Sequence, residues 1–189
     1  MAKSFWNRVK NAFKQPEEAT DNHIKTNDVN DPTNRQRTNA EDIQDFSAVM
    51  PLENIKLQLD LASQTEVLKY LSQLLQSVEP EVDQEAIYGK LLLREKCSTN
   101  LGDTVALPHV QATGISRMHL YFLQLKNPIT WGTETPVKMV LALFIPQSEA
   151  NFEHVNYLAG IAQILLKKDV VQNLTTAEAP ERIFKIFNK

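Results

Sequence analysis

The chain contains a single cysteine, Cys97, among 189 residues, so no internal disulfide can form and the reducing cytoplasm is the expected location. Long apolar runs are missing too: none approaches the ~20 residues that span a bilayer. The N-terminus is basic but has neither the apolar core nor the small-residue cleavage site of a secretory signal. Neither sign of charge dominates. A net charge of −3 gives no general attraction to nucleic acid, and no nucleic-acid partner is expected. No internal repeat is visible. What is present is an ordinary soluble composition, 42% hydrophobic and 23% charged, long enough for one cored domain plus an appendage.

The composition divides the chain into residues 1–14, 15–50 and 51–189. In the first part Phe5, Trp6, Val9 and Phe13 share one helical face, with Lys3, Arg8, Lys10 and Lys14 around it and no acid. That is the pattern of a basic amphipathic helix suited to an anionic membrane surface or a partner's groove. Such a short helix is marginal alone in water, so order on binding is expected. Residues 15–50 are polar and rich in Asn and Asp, too poor in apolar side chains to offset their ordering entropy, and read as a flexible linker. A short Ile43–Met50 stretch is a candidate for docking on the domain that follows.

From Leu52 onward the pattern becomes globular. Ile55 to Leu61 alternates with period two, as a half-buried strand does. Ser63 and Glu66 fit a capping box ahead of a helical stripe of Val67, Leu68, Leu71, Leu74 and Leu75. Asp83 caps a second expected helix carrying Ile87, Leu91 and Leu92 and ending around Arg94 to Cys97. Val105–Leu107 reads as a short strand. Met118–Leu125 alternates up to a turn at Asn127-Pro128. Val137–Ile145 is continuous enough for a central strand covered on both faces. Val155, Leu158, Ala159, Ala162 and Leu166 mark a helix starting near Asn151, and a last helix opens at Pro180. Interleaved strands and helices predict an α/β fold, a mixed central sheet flanked by helices, with a flexible N-terminal extension.

Within this frame Asp103-Thr104-Val105-Ala106-Leu107-Pro108-His109 carries the most chemistry. Pro108 fixes its own φ and biases Leu107 towards extended geometry, which puts His109 on a stiff backbone at a strand mouth, pointing into a cleft. Imidazole is the side chain that can be a neutral nucleophile near physiological pH. His154, 45 residues further on, falls about one turn into the helix after the most buried strand, and Arg94-Glu95 closes the helix before the His109 loop. A helix N-terminus and a guanidinium fork both suit a phosphate. Other candidates are discounted. His119 reads as a surface or core-edge residue and His23 as solvated. Cys97 lacks the paired spacing of a zinc site, Trp131 reads as packing, and no nucleophile elbow supports a hydrolase.

Residues 52–187 resemble the fructose/mannitol-type (type 2) enzyme IIA of the bacterial phosphoenolpyruvate-dependent sugar phosphotransferase system. The resemblance rests on Leu93-Arg94-Glu95, Ser98-Thr99, Leu101 to His109, Pro128-Ile129-Thr130-Trp131, the Val137–Ile145 strand, and Glu153-His154-Val155 with Leu158-Ala159 and Ile161-Ala162. It implies that His109 accepts a phosphoryl group from the phosphohistidine of HPr and passes it to a cysteine on enzyme IIB. It also implies that His154 is the auxiliary active-site histidine, that Arg94 stabilises the phosphate, and that no metal or organic cofactor is needed. The chain departs from the family pattern at Val110, where a small residue, often glycine, is usual, at Thr104, where glycine is usual, and in a segment between Arg94 and His109 that is one residue shorter. Gly permits unusual φ, so these changes are expected to reshape the surroundings of the nucleophile. They leave an alternative open: a regulatory enzyme IIA-like binding protein, weakly or not phosphorylated, that docks through its N-terminal helix.

Overall fold

The computed structural model describes residues 45–188, except Asp103 and residues 133–135 and 149–152. The expected N-terminal helix, and the expected linker up to residue 44, lie outside the described residues. Val137–Pro146 is apolar at nearly every position, and a strand of that kind needs cover on both faces. It forms β6 (Val137–Pro146), buried along its length apart from the half-buried Lys138. On one side β6 pairs antiparallel with β5 (His119–Ile129), which runs parallel to β1 (Ile55–Leu59). On the other side two short strands follow each other along β6, both parallel to it: β3 (Val105–Ala106), then β4 (His109–Ala112). β2 (Asn100–Gly102) pairs antiparallel with β3 and closes that edge. The fold is the expected α/β mixed sheet flanked by helices.

β3 and β4 are one line broken at Leu107-Pro108. Pro108 has no N–H to donate, and Leu107 turns its own N–H to the Thr99 carbonyl at 3.0 Å. The Pro108 carbonyl still accepts from Leu143 N at 3.0 Å, so the chain rejoins β6 at once and His109 opens the new strand.

The helices cover both faces. α1 (Gln64–Val78) and α2 (Gln84–Arg94) bury Val67, Leu71, Ile87 and Leu91 in a cluster with Val110, Tyr121 and Val140. α3 (Glu153–Leu165), α4 (Lys168–Thr175) and α5 (Pro180–Phe187) bury Leu158, Ile161, Leu174, Ile183 and Phe187 in a second cluster with Phe122, Leu141 and Leu143. Local signals set the helix starts. Ser63 Oγ accepts from Glu66 N at 3.2 Å, while the Glu66 carboxylate accepts from Ala62 N at 2.8 Å, one residue further back than a strict capping box. Asp83 accepts from the backbone N–H groups of Glu85 and Ala86, and Pro180 stands at the first turn of α5.

Several details differ from the sequence-based expectation. Within the stretch read as linker to residue 50, the docking expected of Ile43–Met50 is seen in its described part: Phe46, Val49 and Met50 are core residues, with Phe46 edge-on to Tyr157 and Phe187. Asn127-Pro128 is not a turn. β5 runs on through it to Ile129, with an irregularity in the pairing absorbing the proline. The buried stripe of α3 is Tyr157, Leu158, Ile161, Ala162 and Leu165, so Val155 and Leu166, expected inside, are exposed. Leu92 of α2 is also exposed.

Candidate functional site

The break at Pro108 puts His109 where the end of α2 reaches it. Arg94, the last residue of α2, donates from Nε to His109 Nε2 at 3.4 Å. His109 Nδ1 lies 3.1 Å from the Leu107 carbonyl. A carbonyl only accepts, so Nδ1 carries the ring proton and Nε2 presents its lone pair. Instead of standing open in a cleft, as the sequence suggested, His109 is 9% exposed. His109 is paired along β6, and Arg94 reaches its Nε2 from the end of α2. Burial first, and then the Arg94 charge, hold the imidazole down at about 4; the Leu107 hydrogen bond works against them and the charge of His154 works with them. His154 is the second residue of α3, half-buried, and its charge is felt at His109. The three expected site residues thus occupy one neighbourhood.

Arg94 is the unusual member. It is 5% exposed, and Nη1 donates to the Cys97 carbonyl at 3.0 Å. Nη2 is buried and has no hydrogen-bond partner. Burial pulls its pKa below the ordinary value, while the charges of Glu95 and Cys97 push it back up. An orphaned guanidinium N–H is costly inside a protein.

Sequence reasoning places Glu95 only at the end of a helix. In the structure its carboxylate accepts from Gln64 Nε2 (3.1 Å), Thr99 N (3.2 Å), Thr99 Oγ1 (2.5 Å) and Trp131 Nε1 (2.9 Å). An acid at a helix C-terminus opposes the macrodipole, and that mismatch is the one signal the sequence offers. Trp131, expected to be packing, is fully buried and also holds this carboxylate.

The two residues that replace family glycines meet different fates. Thr104 keeps a left-handed backbone at φ 69°. Val110 is buried in the α1–α2 cluster. His119 is a core residue, its Nε2 2.8 Å from Glu79 Oε1, which also accepts from Ser116 N and Oγ. Burial pushes the Glu79 acid up, but the Ser116 and His119 hydrogen bonds outweigh it and hold the carboxyl below its usual value. Cys97 is a half-buried free thiol. Among the described residues no cluster of His, Cys, Asp or Glu is arranged for a metal ion, and no helix is long and apolar enough to cross a membrane.

Comparison with known proteins agrees with this geometry. A family profile described as phosphoenolpyruvate-dependent sugar phosphotransferase system, EIIA 2, matches residues 48–189. A nitrogen regulatory protein of Pseudomonas aeruginosa is 31% identical over 127 residues, covering 66% of this chain and 82% of that protein. The mannitol-specific phosphotransferase enzyme IIA component of Bacillus subtilis is 28% identical over 150 residues, covering 75% of this chain and 97% of that protein. The crystal structure of nitrogen regulatory protein IIA-Ntr from Neisseria meningitidis superposes with a TM-score of 0.70 at 25% identity, covering 76% of this chain and 99% of that one. The chain belongs to the type 2 enzyme IIA family of the phosphoenolpyruvate-dependent sugar phosphotransferase system.

Proposed function

We propose that the chain is a phosphocarrier in which His109 Nε2 takes a phosphoryl group from the phosphohistidine of HPr and hands it to a cysteine of an enzyme IIB. The observation that supports this most is the buried, unpartnered Nη2 of Arg94, next to an imidazole held neutral with Nδ1–H already committed. The Nε2 lone pair attacks phosphorus in line while the N–P bond of phospho-HPr breaks and the HPr imidazole departs. Arg94 Nε shifts from the ring nitrogen to a phosphoryl oxygen, and Nη2 gains the acceptor it lacks. His154, whose charge is felt at His109, helps to neutralise the incoming charge. In the second step an enzyme IIB thiolate attacks phosphorus in line, the S–P bond forms as the His109 Nε2–P bond breaks, and His109 leaves as the neutral ring, bonded again to Arg94. Transfer of this kind needs positioning and charge stabilisation more than covalent help from the protein.

Radiolabelled phosphoenolpyruvate with enzyme I and HPr tests the reading. The expected result is rapid, acid-labile labelling that disappears in His109→Ala and chases onto a IIB domain. If HPr becomes charged and the wild-type chain stays unlabelled, the proposal fails.

A second reading, regulation without onward transfer, is favoured by the relatives named as nitrogen regulatory proteins. Label that loads His109 but never chases onto any IIB domain would support it. In both readings the acid-free basic face of residues 1–14 serves to dock the protein peripherally on the inner, anionic membrane surface. Deleting residues 1–14 is expected to abolish sedimentation with anionic vesicles and leave labelling unchanged. Equal sedimentation of both forms overturns the membrane role.

A further inference from the structure

Glu95 is poorly placed for a carboxylate, since it follows the last turn of α2 at the negative end of the helix. Burial pushes its acid up, while hydrogen bonds from Thr99 and Trp131 and the Arg94 charge pull the other way. Its donors come from three separate parts of the chain: Gln64 at the start of α1, Thr99 in the loop after α2, and Trp131 after β5. Gln64 in turn accepts from Gly132 N at 3.4 Å, so the start of α1 and the Trp131 turn are tied together through this one acid. All four contacts on Glu95 are donors. Glutamine supplies only one acceptor oxygen and sets an NH2 against the remaining N–H groups, so only a carboxylate satisfies the cluster.

The loop that Glu95 anchors at Thr99 is also the loop whose Cys97 carbonyl holds Arg94 Nη1. The neighbouring cation takes none of the carboxylate's lone pairs: Arg94 donates to His109 and Cys97, and no hydrogen bond or ion pair joins it to Glu95. We propose that Glu95 is a positioning residue for phosphoryl transfer: it fixes the 95–99 loop that holds the Arg94 fork against His109, and it takes its hydrogen bonds from Gln64, Thr99 and Trp131 and none from the arginine, which leaves the guanidinium donors directed at His109 and the Cys97 carbonyl. The transfer step here rests on the function proposed above.

The test measures the His109 ring by NMR titration in the full chain for the wild type, Glu95→Gln and Thr99→Val. Thr99→Val leaves the carboxylate in place and removes one donor, so it decides the question if Glu95→Gln does not fold. The charged and titratable groups felt at His109 are Arg94 and His154. If the fork drifts, the Arg94 contribution weakens and the His109 midpoint climbs from about 4 towards 6.5 in both folded variants. Transfer from phospho-HPr then loses roughly 10- to 100-fold in kcat with KM unchanged, as expected when an aligned group is displaced. A midpoint and kcat equal to wild type in a folded variant overturn the proposal. A midpoint that falls in Glu95→Gln also overturns it, because the acid would then act only as a bare charge on the ring. If the wild type itself takes no label, the transfer reading fails while the titration still decides the positioning role.

Discussion

The reluctance of His109 to take a proton can be weighed. Its ring is held at about 4 against an ordinary 6.5, first by burial and then by the Arg94 charge. A gap of about 2.5 pH units corresponds to roughly 3 kcal/mol of linkage. Above pH 6.5 the ring is neutral in both folded and unfolded chains, and the group adds no pH dependence. Between 6.5 and about 4 the unfolded chain binds a proton that the native chain refuses, so native stability falls as the pH falls, by about 1.4 kcal/mol per unit. Below about 4 the native ring protonates as well and the loss stops growing.

His109→Gln isolates this contribution, because glutamine offers Arg94 a neutral acceptor and has no proton to refuse. Urea unfolding of both proteins, followed by circular dichroism at pH 7, 5.5 and 4, should show the wild type losing roughly 3 kcal/mol relative to the variant between the extremes. Parallel stabilities across that interval would refute the reasoning and mean that water reaches the ring freely. The same quantity has a functional counterpart: acceptance of phosphoryl from phospho-HPr should not weaken on the acceptor side between pH 8 and about 5.5, where an exposed histidine would already be losing its lone pair.

Two other substitutions follow from the same geometry. Arg94→Met removes a buried cation with an orphaned N–H and two hydrogen bonds, so stability should stay within about 1 kcal/mol of wild type while labelling of His109 slows by roughly 10²–10³-fold; denaturant midpoints and labelling rates check both, and a stability loss above about 2 kcal/mol contradicts the first half. Thr104 is β-branched yet left-handed at φ 69°, which costs about 1–2 kcal/mol, and the glycine that relieves it adds about 0.5–1 kcal/mol of unfolded-state entropy. Thr104→Gly should therefore leave the protein as stable as wild type or up to about 1 kcal/mol better, with Thr104→Ala gaining nothing; a drop in melting temperature for the glycine variant counts against the strain.

What could be read from the sequence was what neighbours in the chain decide. Ser63 and Asp83 announce α1 and α2 because capping is settled within three residues, and the apolar run of β6 announces a doubly covered strand. The Leu107-Pro108 break follows from proline's missing N–H. α4 is harder to see because in eight residues only Leu174 is fully buried, with Val170 and Val171 half-buried beside it, and so short a stripe carries little periodic signal. The apolar residues of α3 do not fix its phase: Val155 and Leu166 are apolar, but the face towards the sheet is set by Leu158 and Ile161. The burial of His109 was not visible, because it depends on Arg94 arriving from the end of another helix. Glu95 was hidden for the same reason, since its four donors are gathered from Gln64, Thr99 and Trp131 only once the fold has closed.

The departures at Thr104 and Val110 bear on the choice between carrier and regulator, and the structure limits the damage each can do. Thr104 keeps the left-handed conformation that glycine would take, and its carbonyl accepts from Lys138 N and Met139 N at 2.8 and 3.0 Å, so the backbone leading to β3 stays on its path against β6. Val110 buries its side chain among Val67, Ile87 and Tyr121 in the cluster beneath α1 and α2. Successive residues of a strand point to opposite faces, so that methyl-bearing side chain stands away from the one His109 presents. Neither change removes a donor from the ring, the guanidinium or the Cys97 carbonyl. The first is expressed as strain in the backbone and the second as packing in the core, so both move stability before they move transfer. Neither departure therefore speaks against the proposed carrier role.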